Sequence, residues 1–113
     1  MEDKRELKRI AEGLKECFSV FAALGEENRQ QILVAILESG CSGLRVPDIT
    51  AEVNLSRPAV SHHLMVLKQA GLVAARREGT KNYYYVSADK DEWEKIINLV
   101  QSIDKLIKNA YIK

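Results

Sequence analysis

The fold is decided by residues 55–73, which have the sequence LSRPAVSHHLMVLKQAGLV. Ser56 is a preferred N-cap residue and Pro58 suits the first turn of a helix, so a helix begins at this point. An apolar stripe at helical spacing follows, formed by Val60, Leu64 and Leu67. Because Gly71 is a typical residue just beyond a helix end, the pattern predicts an amphipathic helix over residues 57–69.

A second, shorter helix is predicted immediately before this one. Pro47 stands at a first helical position, and Ile49 and Val53 lie four residues apart on one face. The connection between the helices is tight and begins with Asn54, which tolerates a left-handed conformation. Residues 47–70 therefore have the pattern of a helix-turn-helix, whose second helix enters the major groove of DNA.

A β-hairpin is predicted after the helix-turn-helix. Residues 72–77 alternate in polarity, residues 83–86 are strongly β-prone, and the turn cluster between them, residues 78–82, contains Gly79. Tyr83–Tyr85 are expected to pack in the sheet, because alternation buries at least one of them. A hairpin over about 72–86 placed directly after a recognition helix is a wing.

Amphipathic helices are predicted at both ends of the chain, over about 4–22 and 89–110, with a further helix over 26–38 and a short extended piece at 44–46. The element order is then helix, helix, helix-turn-helix, hairpin, helix. The predicted fold class is mainly α with a small β-hairpin (α+β), a winged helix-turn-helix in a single domain spanning 1–113.

Composition excludes several classes of protein. The chain has 113 residues, 46% hydrophobic and 29% charged, with six Gly and two Pro, which suits one globular domain rather than a disordered or collagen-like chain. No apolar run approaches the roughly 20 residues of a membrane span, and the N-terminus lacks a signal-peptide pattern. Two Cys are too few for a disulfide scaffold, so we expect a cytoplasmic protein with no membrane partner.

Charge is unevenly distributed although the net charge is only +1. Residues 53–85 carry five Lys/Arg against Glu78 alone, a net charge of +4, whereas residues 17–52 carry a net charge of −3. A local basic block is the pattern expected of a surface that contacts phosphates. The alternative is a solvated face with no partner.

The outer face of the 57–69 helix carries the candidate DNA-binding residues. With the apolar stripe facing inward, the residues on or near the outer face are Ser56, Arg57, Pro58, Ala59, Ser61, His62, Met65 and Lys68. Arg57 can bridge guanine O6 and N7, and Ala59 can touch a thymine methyl group. A solvated helix end is the alternative for Arg57 and His62. His63 falls on the inner side and is expected to be a packed, hydrogen-bonded histidine.

The wing supplies a second set of candidate DNA contacts, namely Arg76, Arg77, Thr80, Lys81 and Asn82. A tip of this composition can lie along the phosphate backbone or enter the minor groove, which attracts cations. The alternative is that these charges protect an exposed strand edge from aggregation.

The terminal helices have apolar stripes too wide for one small core, which indicates a dimer interface. The candidate interface residues are Leu7, Ile10, Leu14, Phe18, Trp93, Ile97, Val100, Ile103 and Ile107. Pairing of these helices would set two recognition helices on one face of DNA, about 34 Å apart, to match an inverted repeat. A monomer with a well-wrapped core is the alternative.

Three stretches resemble the ArsR/SmtB family of small winged-helix repressors, which are historically known as metal sensors. They are residues 21–33 (FAALGEENRQQIL), residues 55–73 and residues 76–85 (RREGTKNYYY), and the similarity covers about 10–108. The resemblance implies a homodimer that binds double-stranded operator DNA and leaves it when an inducer binds. It does not identify the inducer.

Two departures from the family pattern argue against metal sensing. The positions of the family's Cys-x-Cys pair hold Arg45 and Pro47, and the last helix has Asp91 and Glu94 but no His. The adjacent His62 and His63 point about 100° apart on a helix and cannot chelate one ion together. No metal and no cofactor are therefore predicted.

The two cysteines leave a thiol-responsive regulator of the same fold as an alternative. Cys17 lies on an apolar stripe, which favours an inert packed thiol, and Cys41 in the loop 40–43 is the more reactive candidate. A winged-helix protein–protein module without DNA binding is a further alternative. A thiol enzyme is disfavoured, because no orienting group or glycine-rich cradle accompanies Cys41.

Overall fold

The computed structural model describes residues 4–40, 42–87 and 90–111. Within these ranges the chain forms six helices and one two-stranded hairpin. In chain order they are α1 (Lys4–Glu16), α2 (Phe18–Leu24), α3 (Glu27–Glu38), α4 (Val46–Glu52), α5 (Arg57–Gln69), β1 (Val73–Glu78), β2 (Lys81–Val86) and α6 (Lys90–Tyr111). This is the predicted order with one additional helix. None of the described helices is long and apolar enough to cross a membrane.

The first predicted helix, over 4–22, is wrong as a single element. It is divided at Cys17, whose amide donates to the Leu14 carbonyl at 3.1 Å and which precedes a separate helix α2. Cys17 is fully buried and α2 places Val20 in the core, whereas α1 has no buried residue. The turn therefore redirects the chain from a peripheral helix to a core helix. Apolar periodicity runs through it unchanged and so gives no sign of the break.

The core is formed where α2, α3, α4 and α5 meet the start of β1. Its fully buried large side chains include Val20, Ile32, Ile36, Ile49, Val60, Leu64, Leu67 and Leu72. The inward stripe predicted for α5 is confirmed, since its three residues have no exposed surface. Ser56 is confirmed as the N-cap of α5, because its hydroxyl accepts from the Ala59 amide at 3.3 Å. The core therefore fixes which face of α5 remains outside.

The hairpin is antiparallel and has a tighter turn than the 78–82 cluster suggested. Glu78 pairs with Lys81, so the loop is Gly79 and Thr80 alone, and Asn82 belongs to β2. Gly79 has φ 64°, the left-handed conformation that such two-residue loops require. The predicted extended piece at 44–46 is reduced to one residue, a bridge from Leu44 to Tyr84, because α4 already begins at Val46.

Gly43 directly precedes this bridge, and we expect a side chain at this position to be strongly destabilising. Its φ is 84°, and a Cβ there would lie 2.8 Å from the Tyr84 carbonyl oxygen. Gly40 has φ 85° but open space around it. We expect Gly40→Ala to lower the free energy of unfolding by about 1–2 kcal/mol, the cost of left-handed backbone alone. Gly43→Ala should cost about 1–3 kcal/mol more, because the backbone of β2 must move.

Urea unfolding of the two variants at one protein concentration measures this difference, since both substitutions carry the same conformational penalty. Equal losses of stability in the two variants would show that the hairpin does not press on Gly43.

Candidate nucleic-acid interface

The outer face of α5 is not covered by the described parts of the chain. Seven of the eight predicted contact residues on or beside this helix are exposed, namely Ser56, Arg57, Pro58, Ser61, His62, Met65 and Lys68, and Ala59 is half-buried. Because the opposite face is locked in the core, α5 presents a fixed surface to any partner. The geometry therefore places these residues together as the sequence predicted.

The N-terminal end of α5 combines two features suited to an anion or a base edge. Arg57 is the first residue of the helix, directly after the Ser56 cap. Pro58 has no N–H and the Ala59 N–H donates to the Ser56 hydroxyl, so among the first three helical residues the Arg57 amide is the one left to donate outward. The positive end of the helix dipole lies at this point, and the Arg57 guanidinium adds a full charge. This end can therefore bind a phosphate or donate two hydrogen bonds to guanine.

The wing tip lies in solvent and is basic. Arg77, Thr80, Lys81 and Asn82 are all exposed. The Arg77 Nε donates to the Gly79 carbonyl at 3.0 Å, so this side chain lies against the turn. The tip can thus offer cations and polar groups to a backbone or a groove.

The guanidinium of Arg76 contacts several groups of the protein. Its Nε donates to Glu78 Oε1 at 3.1 Å, its Nη2 donates to the Ser42 carbonyl at 3.0 Å, and its Cζ lies 5.2 Å from the centre of the Tyr83 ring. These contacts tie β1 to the loop that precedes α4. Arg76, predicted among the DNA contacts, is exposed and makes these contacts within the protein.

His63 is a packed, hydrogen-bonded histidine, as predicted. Its side chain is only 15% exposed. Arg29 Nη1 approaches its Nδ1 at 3.3 Å, across 34 residues of sequence. Arg29 was missed among the candidate site residues, although it is one of only two cations in the acidic segment 17–52.

The terminal helices expose apolar side chains that the protomer does not cover. We define the terminal-helix patch as the exposed large hydrophobic residues of α1, α2 and α6, which are Leu7, Leu14, Phe18, Phe21, Ile97, Val100 and Ile107. Helix α1 packs on α6. Ile10 and Ile103, also predicted for the interface, are half-buried, and Phe21 was not predicted for it.

Trp93 occupies a different position from the other predicted interface residues. Its indole Nε1 donates to the Ser87 carbonyl at 2.9 Å, and its ring packs against the protomer's own core. It therefore joins the start of α6 to the end of the hairpin and is not part of the terminal-helix patch.

One of the two cysteines, Cys17, lies within the described residues. Cys17 is fully buried, which is the packed state expected for it, and Cys41 lies outside the described residues. Within residues 4–40, 42–87 and 90–111, no three His, Cys, Asp or Glu side chains are grouped so as to hold a metal ion.

Comparison with known proteins places this geometry in a family. The sequence profile described as "Bacterial regulatory protein, arsR family" matches residues 26–75. An uncharacterized HTH-type transcriptional regulator of Methanocaldococcus jannaschii is 40% identical over 84 residues, covering 74% of this chain and 90% of that protein. The chain belongs to the ArsR family. The transcriptional repressor SdpR of Bacillus subtilis is similar to this ArsR-family chain, with 38% identity over 66 residues, 58% of this chain and 70% of SdpR.

Solved structures of other transcriptional regulators superimpose on this chain. The regulator HlyU of Vibrio vulnificus superimposes with a TM-score of 0.64 at 29% identity, over 86% of this chain and 96% of HlyU. A homodimeric winged helix-turn-helix DNA-binding domain from Mycobacterium bovis, a possible ArsR-family regulator, gives a TM-score of 0.61 at 26% identity, over 94% and 92% of the two chains. The winged helix-turn-helix prediction is confirmed.

Proposed function

We propose that this ArsR-family chain acts as a homodimeric, sequence-specific repressor that binds an inverted-repeat operator and is released by an inducer. The observation that carries the proposal is the difference between the two faces of α5. Its inner stripe is fully buried, while its outer face and basic N-terminus are exposed. A helix held in this way is suited to read base edges in the major groove. Such a repressor acts in the cytoplasm, where its operator lies.

A homodimer is supported by the terminal-helix patch. Phe18 is 59% exposed and Val100 is 56% exposed, which is costly for large apolar side chains in water. A second copy of the chain would cover them through a self-complementary contact. The homodimeric M. bovis domain of similar fold agrees with this assembly.

The charge pattern supports DNA as the partner. The +4 segment 53–85 contains α5 and most of the wing, so a dimer would carry about +8 on these segments. This local charge can attract a polyanion although each chain has a net charge of only +1. Because the net charge is low, the rest of the surface is expected to attract DNA only weakly.

Binding is expected to weaken steeply with salt. If each protomer meets roughly three phosphates, the plot of log K against log salt concentration for the dimer has a slope of about −5. Fluorescence anisotropy with inverted repeats from the DNA upstream of the protein's own gene measures this slope. Absence of salt-sensitive binding to any such repeat would refute the repressor and favour the protein–protein module.

A further inference from the structure

Arg29 joins three elements of the protomer through one guanidinium group. Its Nε donates to the Ala23 carbonyl at 2.7 Å and its Nη2 donates to the Ala22 carbonyl at 3.2 Å. Its Nη1 reaches His63 Nδ1 at 3.3 Å. Arg29 itself lies in the first turn of α3, so α2, α3 and α5 meet at this side chain.

The two carbonyls belong to the last turn of α2. Carbonyl groups at a helix end have no partner within the helix and carry partial negative charge, so a cation that donates to them caps the helix. The planar guanidinium can serve both carbonyls and the imidazole at once, which an ammonium group cannot do with the same geometry. Arg29 therefore fixes the end of α2 in a defined orientation.

The other end of the link is the inner side of α5. His63 Nδ1 must carry a lone pair to accept from Arg29, so the contact is made by the neutral ring. Glu26 orders the start of α3 beside this contact, because its Oε2 accepts from the Arg29 amide at 2.9 Å. Asn28 in turn donates to Glu26 Oε1 at 3.1 Å.

We propose that Arg29 is a positioning residue that sets the orientation of the recognition helix α5 relative to the dimer surface. Helix α2 carries Phe18 and Phe21 of the terminal-helix patch, and α5 carries the predicted DNA contacts. Arg29 donates to carbonyls of α2 and contacts His63 of α5, so it connects the two helices that carry these surfaces. This inference rests on the proposed function. It predicts that Arg29 determines which half-site spacing a dimer prefers.

The test compares Arg29→Lys with Arg9→Lys, the same change at an exposed position of α1. The operator probe is a series of inverted repeats whose half-sites are moved apart or together by one or two base pairs. Loss of charge-assisted hydrogen bonds should weaken binding of Arg29→Lys to the best repeat about 10-fold. It should also flatten the spacing preference, whereas Arg9→Lys keeps both.

Variants of His63 separate the hydrogen bond from packing. His63→Asn keeps an acceptor close to the position of Nδ1 and should retain the spacing preference, while His63→Leu removes the acceptor and should behave like Arg29→Lys. A sharp preference in both Arg29→Lys and His63→Leu would overturn the proposal.

Amide hydrogen exchange on the same variants gives a readout that needs no DNA. Exchange should accelerate locally along residues 57–69 and 21–25 in Arg29→Lys. Unchanged exchange, or equal acceleration across the whole chain, would overturn the positioning role. If the wild-type chain binds no repeat, the repressor proposal fails alone, and the exchange result still decides the role of Arg29.

Discussion

Replacing Arg57 with alanine is expected to weaken operator binding roughly 5- to 150-fold, the equivalent of about 1–3 kcal/mol. Arg57 begins α5, is exposed, and lies where a recognition helix first meets base edges. The fold should survive, because the core does not contain this side chain. Anisotropy against the operator and against duplexes with single base-pair changes measures the effect.

Lys105→Ala is the matched control, since it removes an exposed cation from α6, far along the chain from the helix-turn-helix. It should change affinity little. If Arg57 reads a base, its loss relaxes specificity at one base pair; a uniform loss with a smaller salt slope would instead assign it to a phosphate. Unchanged affinity in Arg57→Ala would contradict the placement of α5 on DNA.

Val100→Glu is expected to abolish the dimer at concentrations where the wild-type chain is dimeric. A two-fold interface meets the substitution twice, and each buried carboxylate loses hydration without a partner. We expect the dimer dissociation constant to rise at least about 1000-fold, equivalent to roughly 4 kcal/mol. Operator binding should fall with it, because one protomer reads only one half-site.

Val34→Glu is a closely matched control for this experiment. Val34 is 51% exposed on α3 and Val100 is 56% exposed on α6, so the two variants add the same charge to similarly exposed valines. Sedimentation velocity should find Val34→Glu dimeric and Val100→Glu monomeric, both with the helical signal of the wild type. If Val100→Glu remains dimeric, α6 is not part of the dimer interface.

The parts of the structure that could be predicted from sequence are those fixed by local rules. Ser56 caps α5 through a contact three residues away, and the buried stripe of α5 follows from helical spacing. The inner position of His63 follows from the same spacing. Such features depend on a few neighbouring residues, so the recognition helix and its outer face could be derived without a tertiary structure.

The features that were missed depend on contacts between distant residues or on small backbone changes. Arg29 with His63 and Arg76 with Ser42 each join residues 34 apart in sequence, and nothing in the local pattern of either arginine indicates its partner. The turn at Cys17 was missed because a one-residue break leaves the apolar period intact. The hydrogen bond from the Trp93 indole to the Ser87 carbonyl likewise depends on how the hairpin meets α6, which the helical pattern does not indicate.

Selection of bound duplexes from a library of random DNA tests the central claim most directly. We expect enrichment of an inverted repeat whose half-site centres are about 10 base pairs apart, or a multiple of that distance, because two α5 helices on one dimer must meet successive turns of the major groove. Recovery of sequences no different from the starting library would contradict it, as would enrichment of a single unrepeated half-site.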